Sequence, residues 1–185
     1  MSLRLETGRL SLRPFEERDA ASFAAYRNDP LVAEYQGWEL PYTAQQVAEF
    51  VANMRGREPA TPGEWYQLAI ERRDSGAMIG DCAFVVLRDG RQAEIGFTLA
   101  RDQQGQGYGV EAVGRLLAYL LGELNLHRVQ ANCDVLNPAS ARLMERVGMR
   151  REAHLVENVW MKGRWTSEYW YGLLRREWLA RRGEG

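Results

Sequence analysis

The sequence predicts an α+β domain built on a mixed, mostly antiparallel sheet. Three observations carry that reading. Apolar and polar residues alternate through consecutive segments between Tyr66 and Leu99, the pattern of strands buried on one face. A glycine-rich stretch then leads through a strong helical pattern into another strand, and two strands joined by one helix are parallel neighbours with a right-handed crossover. Two further strand-like segments close the chain around a Lys162-Gly163-Arg164 turn.

The elements follow in order. Leu5 to Arg13 reads as a strand, broken near Gly8 and ended by Pro14. Glu16 to Arg27 is a helix with Phe23 and Tyr26 on its apolar side, stopped by Asn28-Asp29-Pro30. Leu31 to Tyr35 is a short helix, and Trp38 to Tyr42 an aromatic loop. Thr43 caps a helix from Ala44 to about Arg55, with Val47, Phe50, Val51 and Met54 at helical spacing. Tyr66, Leu68 and Ile70 define the next strand, Ala77 to Leu87 its hairpin partner, and Ala93 to Leu99 a third. Val110, Val113, Leu117, Leu120, Leu121 and Leu124 share one face of a helix. His127 to Val135 is a strand, and Asn137-Pro138 opens a helix that Gly148 terminates. Strands from about Arg150 to Met161 and Trp165 to Leu174 follow, and Arg181 to Gly185 reads as a frayed end.

Length and composition bound the rest. A chain of 185 residues suits one domain spanning 1–185. The 45% hydrophobic and 26% charged fractions exclude bulk disorder. Net charge is −1, with 23 Arg and the single Lys162 as bases, so charge provides no case for nucleic acid or an anionic membrane as partner. Runs such as Leu116 to Leu121 fall far short of the ~20 apolar residues of a membrane span. The opening Met1-Ser2-Leu3-Arg4-Leu5-Glu6 lacks the order of a signal peptide. Cys82 and Cys133 are expected as reduced core thiols in a cytoplasmic protein, without the spacing of a metal site. His127 and His154 read as structural. Trp165, Trp170 and Trp178 read as core or helix-packing residues.

The glycines at 105, 107 and 109 lie between a strand and a helix N-terminus. Unpaired backbone N–H groups and the positive end of the helix dipole meet there, and glycine lets an anion approach without a Cβ in the way. One glycine would serve a tight turn; three in alternation favour anion binding. Gly107 to Ala112 matches the dinucleotide pattern G-x-G-x-x-A, but the repeated βαβ array that accompanies it is missing. No Walker A Lys-Ser or Lys-Thr follows the glycines.

Gln104-Gly105-Gln106-Gly107-Tyr108-Gly109 resembles the Q/R-x-x-G-x-G/A acetyl-coenzyme A signature of the GNAT N-acetyltransferase superfamily. Asn137-Pro138-Ala139-Ser140, with Leu143, Glu145, Arg146, Gly148 and Met149, resembles the N-x-x-S-x-x-L-x-E-K-x-G-F stretch of its RimJ/RimL-like branch. Glu6 to Pro14 is similar to that branch's E-T-x-R-L-x-L-R start. Gly163 to Leu174 is similar to its G-R-x-x-D-x-x-x-Y-x-L-L tail, with Glu168 standing out of register for the acidic residue.

The resemblance implies a central mixed sheet of about seven strands, helices on both faces, and a splayed parallel strand pair around the cofactor helix. It implies acetyl-CoA as cosubstrate and no metal, with the pyrophosphate on the amides of Gln104 to Gly109. The pantetheine arm then runs along Phe97, Thr98 and Leu99, with Asn137 bonded to it and Ser140 near the sulfur. The family's frequent tyrosine acid is replaced by Met144, which makes Ser140 the candidate acid for the leaving thiolate. The reaction is attack of a neutral amine on a thioester. An α-amine of pKa ~7.9 is about 3.4 kcal/mol easier to deprotonate than a lysine at ~10.4, so a carboxylate acting through water suffices. Asp81, Glu94 and Glu157 are candidate bases; Glu94 ranks first because it shares a strand face with Gly96 and Thr98. Tyr35 and Trp38 are expected to line the acceptor groove. The acceptor is a protein N-terminal α-amine or a small-molecule amine, and the protein a monomer or a homodimer joined through the aromatic terminal hairpin. Two other classes stay open: a non-catalytic acyl-CoA-binding module and, lacking the second βαβ half, a dinucleotide-dependent enzyme.

Overall fold

The computed structural model describes residues 3–183; the expectations for Met1, Ser2, Glu184 and Gly185 lie outside them. The strands are Leu5–Glu6 (β1), Leu10–Arg13 (β2), Trp65–Arg72 (β3), Met78–Val86 (β4), Gln92–Leu99 (β5), Arg128–Asp134 (β6), Arg150–Met161 (β7) and Arg164–Leu174 (β8). They form one eight-stranded sheet in the order β1-β2-β3-β4-β5-β6-β8-β7. All neighbours are antiparallel except β5 and β6. The sheet exceeds the expected seven strands because the first segment reverses on itself. Thr7 bonds Leu10 through its backbone N–H and its hydroxyl, and Leu5 then pairs with Leu12.

The helices are Ala20–Arg27 (α1), Pro30–Ala33 (α2), Ala44–Arg55 (α3), Tyr108–Leu117 (α4), Pro138–Arg146 (α5) and Arg175–Arg182 (α6). At the start of α3 the Thr43 hydroxyl accepts the Gln46 N–H at 3.2 Å, while the Gln46 side chain accepts the Thr43 N–H at 2.8 Å, a reciprocal cap. Val47, Val51 and Met54 turn that helix inward beside Phe15, Phe23 and Tyr26. The opposite sheet face carries α4, whose Ala112, Val113, Leu116 and Leu117 are buried with Phe84, Ile95 and Val129. The expected single helix to Leu124 instead widens into a π-helical segment over Ala118–Glu123.

Two terminal expectations are corrected. Arg181 and Arg182 belong to α6 rather than a frayed end; Glu177 caps that helix by accepting the Leu174 N–H at 3.0 Å, and Trp178 packs against Gly122. Trp165 is not a core residue. It lies beyond the core near the tip of the β7–β8 hairpin, 56% exposed, edge-on to the exposed Trp160. Lys162 and Gly163 both have positive φ (51° and 77°), as a two-residue hairpin turn of this twist requires. Cys82 and Cys133 are free and buried. Among the described residues no helix is long and apolar enough to cross a membrane.

Candidate active site

The parallel pair β5–β6 opens like a wedge. Its register covers only Gln92↔Arg128, Ala93↔Val129 and Glu94↔Gln130, whereas β5 stays paired with β4 as far as Leu99. Beyond Glu94 the β6-side edge of β5 has no strand partner. A cleft of about 460 Å³ lies there, with Phe97, Thr98 and Leu99 on one wall and Asn137, Ser140 and Leu143 of the α5 region on the other.

The glycine loop closes one end. Gly105 and Gly107 take φ of +74° and +83°, where a Cβ would clash with the backbone. Gly107 is the N-cap of α4, and no side chain caps that end, so the first amides of the helix are free for an anion. Gly109 has another role: a Cβ there would fall 2.6 Å from Leu143 Cδ1, so its absence lets α5 close on α4. The loop is pinned from behind by the β1–β2 turn. Arg9 donates to the Gln106 carbonyl at 3.1 Å and to Glu111 at 2.6 Å, and its guanidinium covers the Tyr108 ring at 4.5 Å. Gln104 donates to the Leu99 carbonyl at 3.1 Å, and Gln106 to the Asp102 carbonyl at 2.9 Å. The side chains of Gln106 and Tyr108 therefore point out of the cleft, while Gln104, Gly105, Gly107 and Gly109 line it.

Asn137 and Ser140 are joined. The Asn137 carbonyl oxygen accepts the Ser140 backbone N–H at 3.1 Å, and its amide donates to Ser140 Oγ at 3.3 Å. Because Oγ already accepts, its own proton is free to donate toward the cleft. Met144 is fully buried and lacks a hydroxyl.

A second cavity of about 330 Å³ adjoins the first and shares Tyr35, Gln36, Phe97, Asn137 and Ser140 with it. Glu94 lies here, accepting from Gln130 at 3.1 Å. Burial first, then the carboxylates of Glu34 and Asp134, push the Tyr35 phenol above its usual range, against the opposing effect of Arg164. Burial also pushes the Cys133 thiol up to about 11, so this groove residue stays protonated and a poor nucleophile.

Three expected residues are not brought to the cleft. Asp81 is buried behind it, accepting from the Tyr26 hydroxyl and from Gln67 at 2.6 Å, with Arg27 at 4.0 Å. Glu157 is exposed at an irregularity of β7, its N–H bonded to Ser167 Oγ at 2.9 Å. Trp38 turns away: its indole donates to the Arg27 carbonyl at 2.9 Å and its ring lies 3.8 Å from the Arg27 guanidinium. A buried cation flanked by Trp38 and Phe23 holds the indole more strongly than an open groove would. Arg142 was not singled out in the sequence, and Arg146 only as part of the branch resemblance, yet both line the cofactor-side cleft. The signal was their i, i+4 spacing on one helix face.

The cleft fits an extended anionic ligand: free helix-end amides, two arginines, no carboxylate in its lining, and an unpaired strand edge beside it.

Comparison with known proteins agrees with this geometry. The family model described as "Acetyltransferase (GNAT) domain" matches residues 9–150. An uncharacterised N-acetyltransferase of Bacillus subtilis, YnaD, is 31% identical over 176 residues, covering 95% of this chain and 99% of the relative. The crystal structure of a GNAT-family acetyltransferase from Bacillus anthracis superimposes with a TM-score of 0.86 at 26% identity, covering 94% of this chain and 99% of that one. The spermidine N-acetyltransferase of Vibrio cholerae, solved with CoA and spermine, shares the fold with a TM-score of 0.80 at 24% identity, covering 94% and 99%.

Proposed function

The chain belongs to the GNAT acetyltransferase family, and from that premise we propose that it transfers an acetyl group from acetyl-CoA to a primary amine by direct attack in a ternary complex. We place it in the RimJ/RimL-like branch, because the similar segments fall on β1–β2, the glycine loop, α5 and β8, the elements that build or brace the cleft. Two free, buried thiols are in keeping with a cytoplasmic setting.

The observation that carries the reading is the meeting of two differently charged cavities at Ser140. The cofactor-side cleft contains Arg142 and Arg146 and no carboxylate; the adjoining groove contains Glu94, Asp134 and Glu168 and no basic side chain. An anionic thioester carrier and a protonated amine are thereby sorted to opposite sides of one junction. Acetyl-CoA supplies the activated acyl group. The amides of Gly105 to Gly109 and the α5 arginines hold its phosphates, and the β5 edge from Phe97 to Leu99 positions the arm. Glu94, tethered through Oε2 to Gln130, accepts the amine's proton through water. As the new C–N bond forms and the C–S bond breaks, the Ser140 hydroxyl donates to the departing sulfur. The protonated Cys133 favours direct transfer over a covalent acyl-cysteine.

Two measurements test the proposal. Acetyl-CoA and CoA raise the Tm, whereas NAD and ATP do not, since a ligand that binds only the folded state stabilises it; no shift with either CoA species refutes it. Ser140→Ala lowers kcat by about 100-fold or more, the scale for lost proton donation in a transition state, with CoA affinity nearly unchanged. An unchanged kcat removes Ser140 from the chemistry.

A further inference from the structure

Resting on the acetyl-transfer reading, we infer that the acceptor is a small alkyl amine bearing a second positive charge, and that Asp134 and Glu168 select it by holding that charge.

Asp134 ends β6 and is the register partner of Glu168 on β8, so both side chains stand on one face of the sheet, as close cross-strand neighbours. Like charges directly opposite one another destabilise a sheet, and here nothing in the lining offsets them. The groove's lining adds Glu94 and contains no Arg, Lys or His. Lys162, near the hairpin tip, is engaged elsewhere, donating to the Ala33 carbonyl; Arg164 is exposed and outside the lining.

Each carboxylate is fixed through one oxygen only. Asp134 Oδ1 accepts the Leu136 N–H at 2.8 Å. Glu168 Oε2 accepts from Asn158 at 2.7 Å and Trp170 at 3.1 Å. Glu94 Oε2 accepts from Gln130 at 3.1 Å. The decisive atom is Asp134 Oδ2: the residue is only 8% exposed, and this oxygen is buried without any hydrogen-bond partner. A buried, unpartnered carboxylate oxygen is costly unless a cation or donor meets it. A second ammonium on the acceptor supplies that partner while the first reaches the Ser140 junction. The groove, about 330 Å³, has the size of small-molecule sites. Gln36, Gly37, Val159 and Met161 also line it, and the Lys162 bond to the Ala33 carbonyl ties the hairpin to α2.

The test compares butane-1,4-diamine with pentan-1-amine, which differ by one ammonium against one methyl. Acetyl-CoA binding is first established from the Tm shift, so that failure there counts against acetyl transfer itself rather than against this inference. With binding established, kcat/KM for the diamine is expected to exceed that for the monoamine by at least about tenfold, the scale of one charge-assisted hydrogen bond. Asp134→Asn keeps the acceptor for the Leu136 N–H and removes the charge. This variant and Glu168→Gln each raise the diamine KM by about tenfold, and raise the monoamine KM by clearly less, so that the preference for the diamine narrows. Equal efficiency of wild type on the two amines overturns the inference without needing any variant. So does a diamine preference that survives the double substitution, or faster acetylation of a peptide N-terminus followed by neutral residues. Absence of turnover on both amines, with acetyl-CoA bound, also overturns it.

Discussion

Gly107→Ala tests whether the glycine loop is a ligand cradle or only a turn. Gly107 sits at φ +83°, and the left-handed region costs an L-residue roughly 1–2 kcal/mol. For a domain of this size each kcal/mol lowers Tm by about 2–4 °C, so a fall of roughly 2–8 °C is expected. The added methyl has two outcomes. If φ is kept, Cβ lies 3.3 Å from Arg9 Nη2, and the Arg9 side chain, which holds the Gln106 carbonyl, must shift. If φ relaxes, the first amides of α4 turn away from the cleft. Either way at least one amide–phosphate hydrogen bond is lost, worth ~1.5–3 kcal/mol when charge-assisted, or roughly 10- to 150-fold in CoA affinity. The assay is calorimetric titration with CoA alongside a thermal melt. Gly90→Ala is the control: it has φ +65°, nothing within 4 Å of its Cβ position, and lies in the turn before β5. It is expected to lose similar stability and no CoA affinity. CoA affinity unchanged in both variants, with equal loss of Tm, would refute the cradle.

Two further predictions concern the frame around the cleft. Burial raises the Glu111 carboxyl, but hydrogen bonds from the Thr7 hydroxyl and from the backbone and side chain of Arg9 hold it below the usual glutamate range. Its contribution is therefore fully present above the unfolded value of ~4.3 and is lost as pH falls through the lower folded value. Glu111→Gln should flatten the melting temperature's dependence on pH below about 4.3; an unchanged acid limb counts against the assignment. At Gly80 a Cβ would fall 2.2 Å from the Thr98 carbonyl and 3.0 Å from Leu99 Cα, backbone atoms that cannot swing aside. Gly80→Ala should cost about 1–3 kcal/mol and weaken CoA binding by displacing Thr98 and Leu99. A variant with wild-type Tm and CoA affinity would show that β4 and β5 separate freely at that end.

How much of this was legible in the sequence depends on the range of the interaction. Thr43 with Gln46, and Val47 with Val51 and Met54, declare α3 by contacts within a turn or two of helix. The alternation in β3 to β5 and the three loop glycines are equally local. Trp38 was misread because its partner, Arg27, belongs to another helix and its indole bonds a carbonyl there. Asp81 was misread because Tyr26 and Gln67 claim both its oxygens from separate elements. The end of the chain was misread in both directions. Trp165 carries an apolar side chain, but the hairpin extends past the core and exposes it; Arg181 and Arg182 read as a frayed end, yet they close a helix that Glu177 caps and Trp178 anchors.

The sequence by itself determined the order of strands and helices from β2 to β8, the glycine loop at a helix start and the family resemblance, because caps, periodicity and short motifs are written in neighbouring residues. Only the tertiary structure decided the wedge between β5 and β6, the arginines facing it, and the carboxylates gathered across the junction from them. Those charges nearly cancel in the net of −1. They act separately because strand pairing brings Asp134 opposite Glu168, while α5 carries Arg142 and Arg146 to the far side of Ser140.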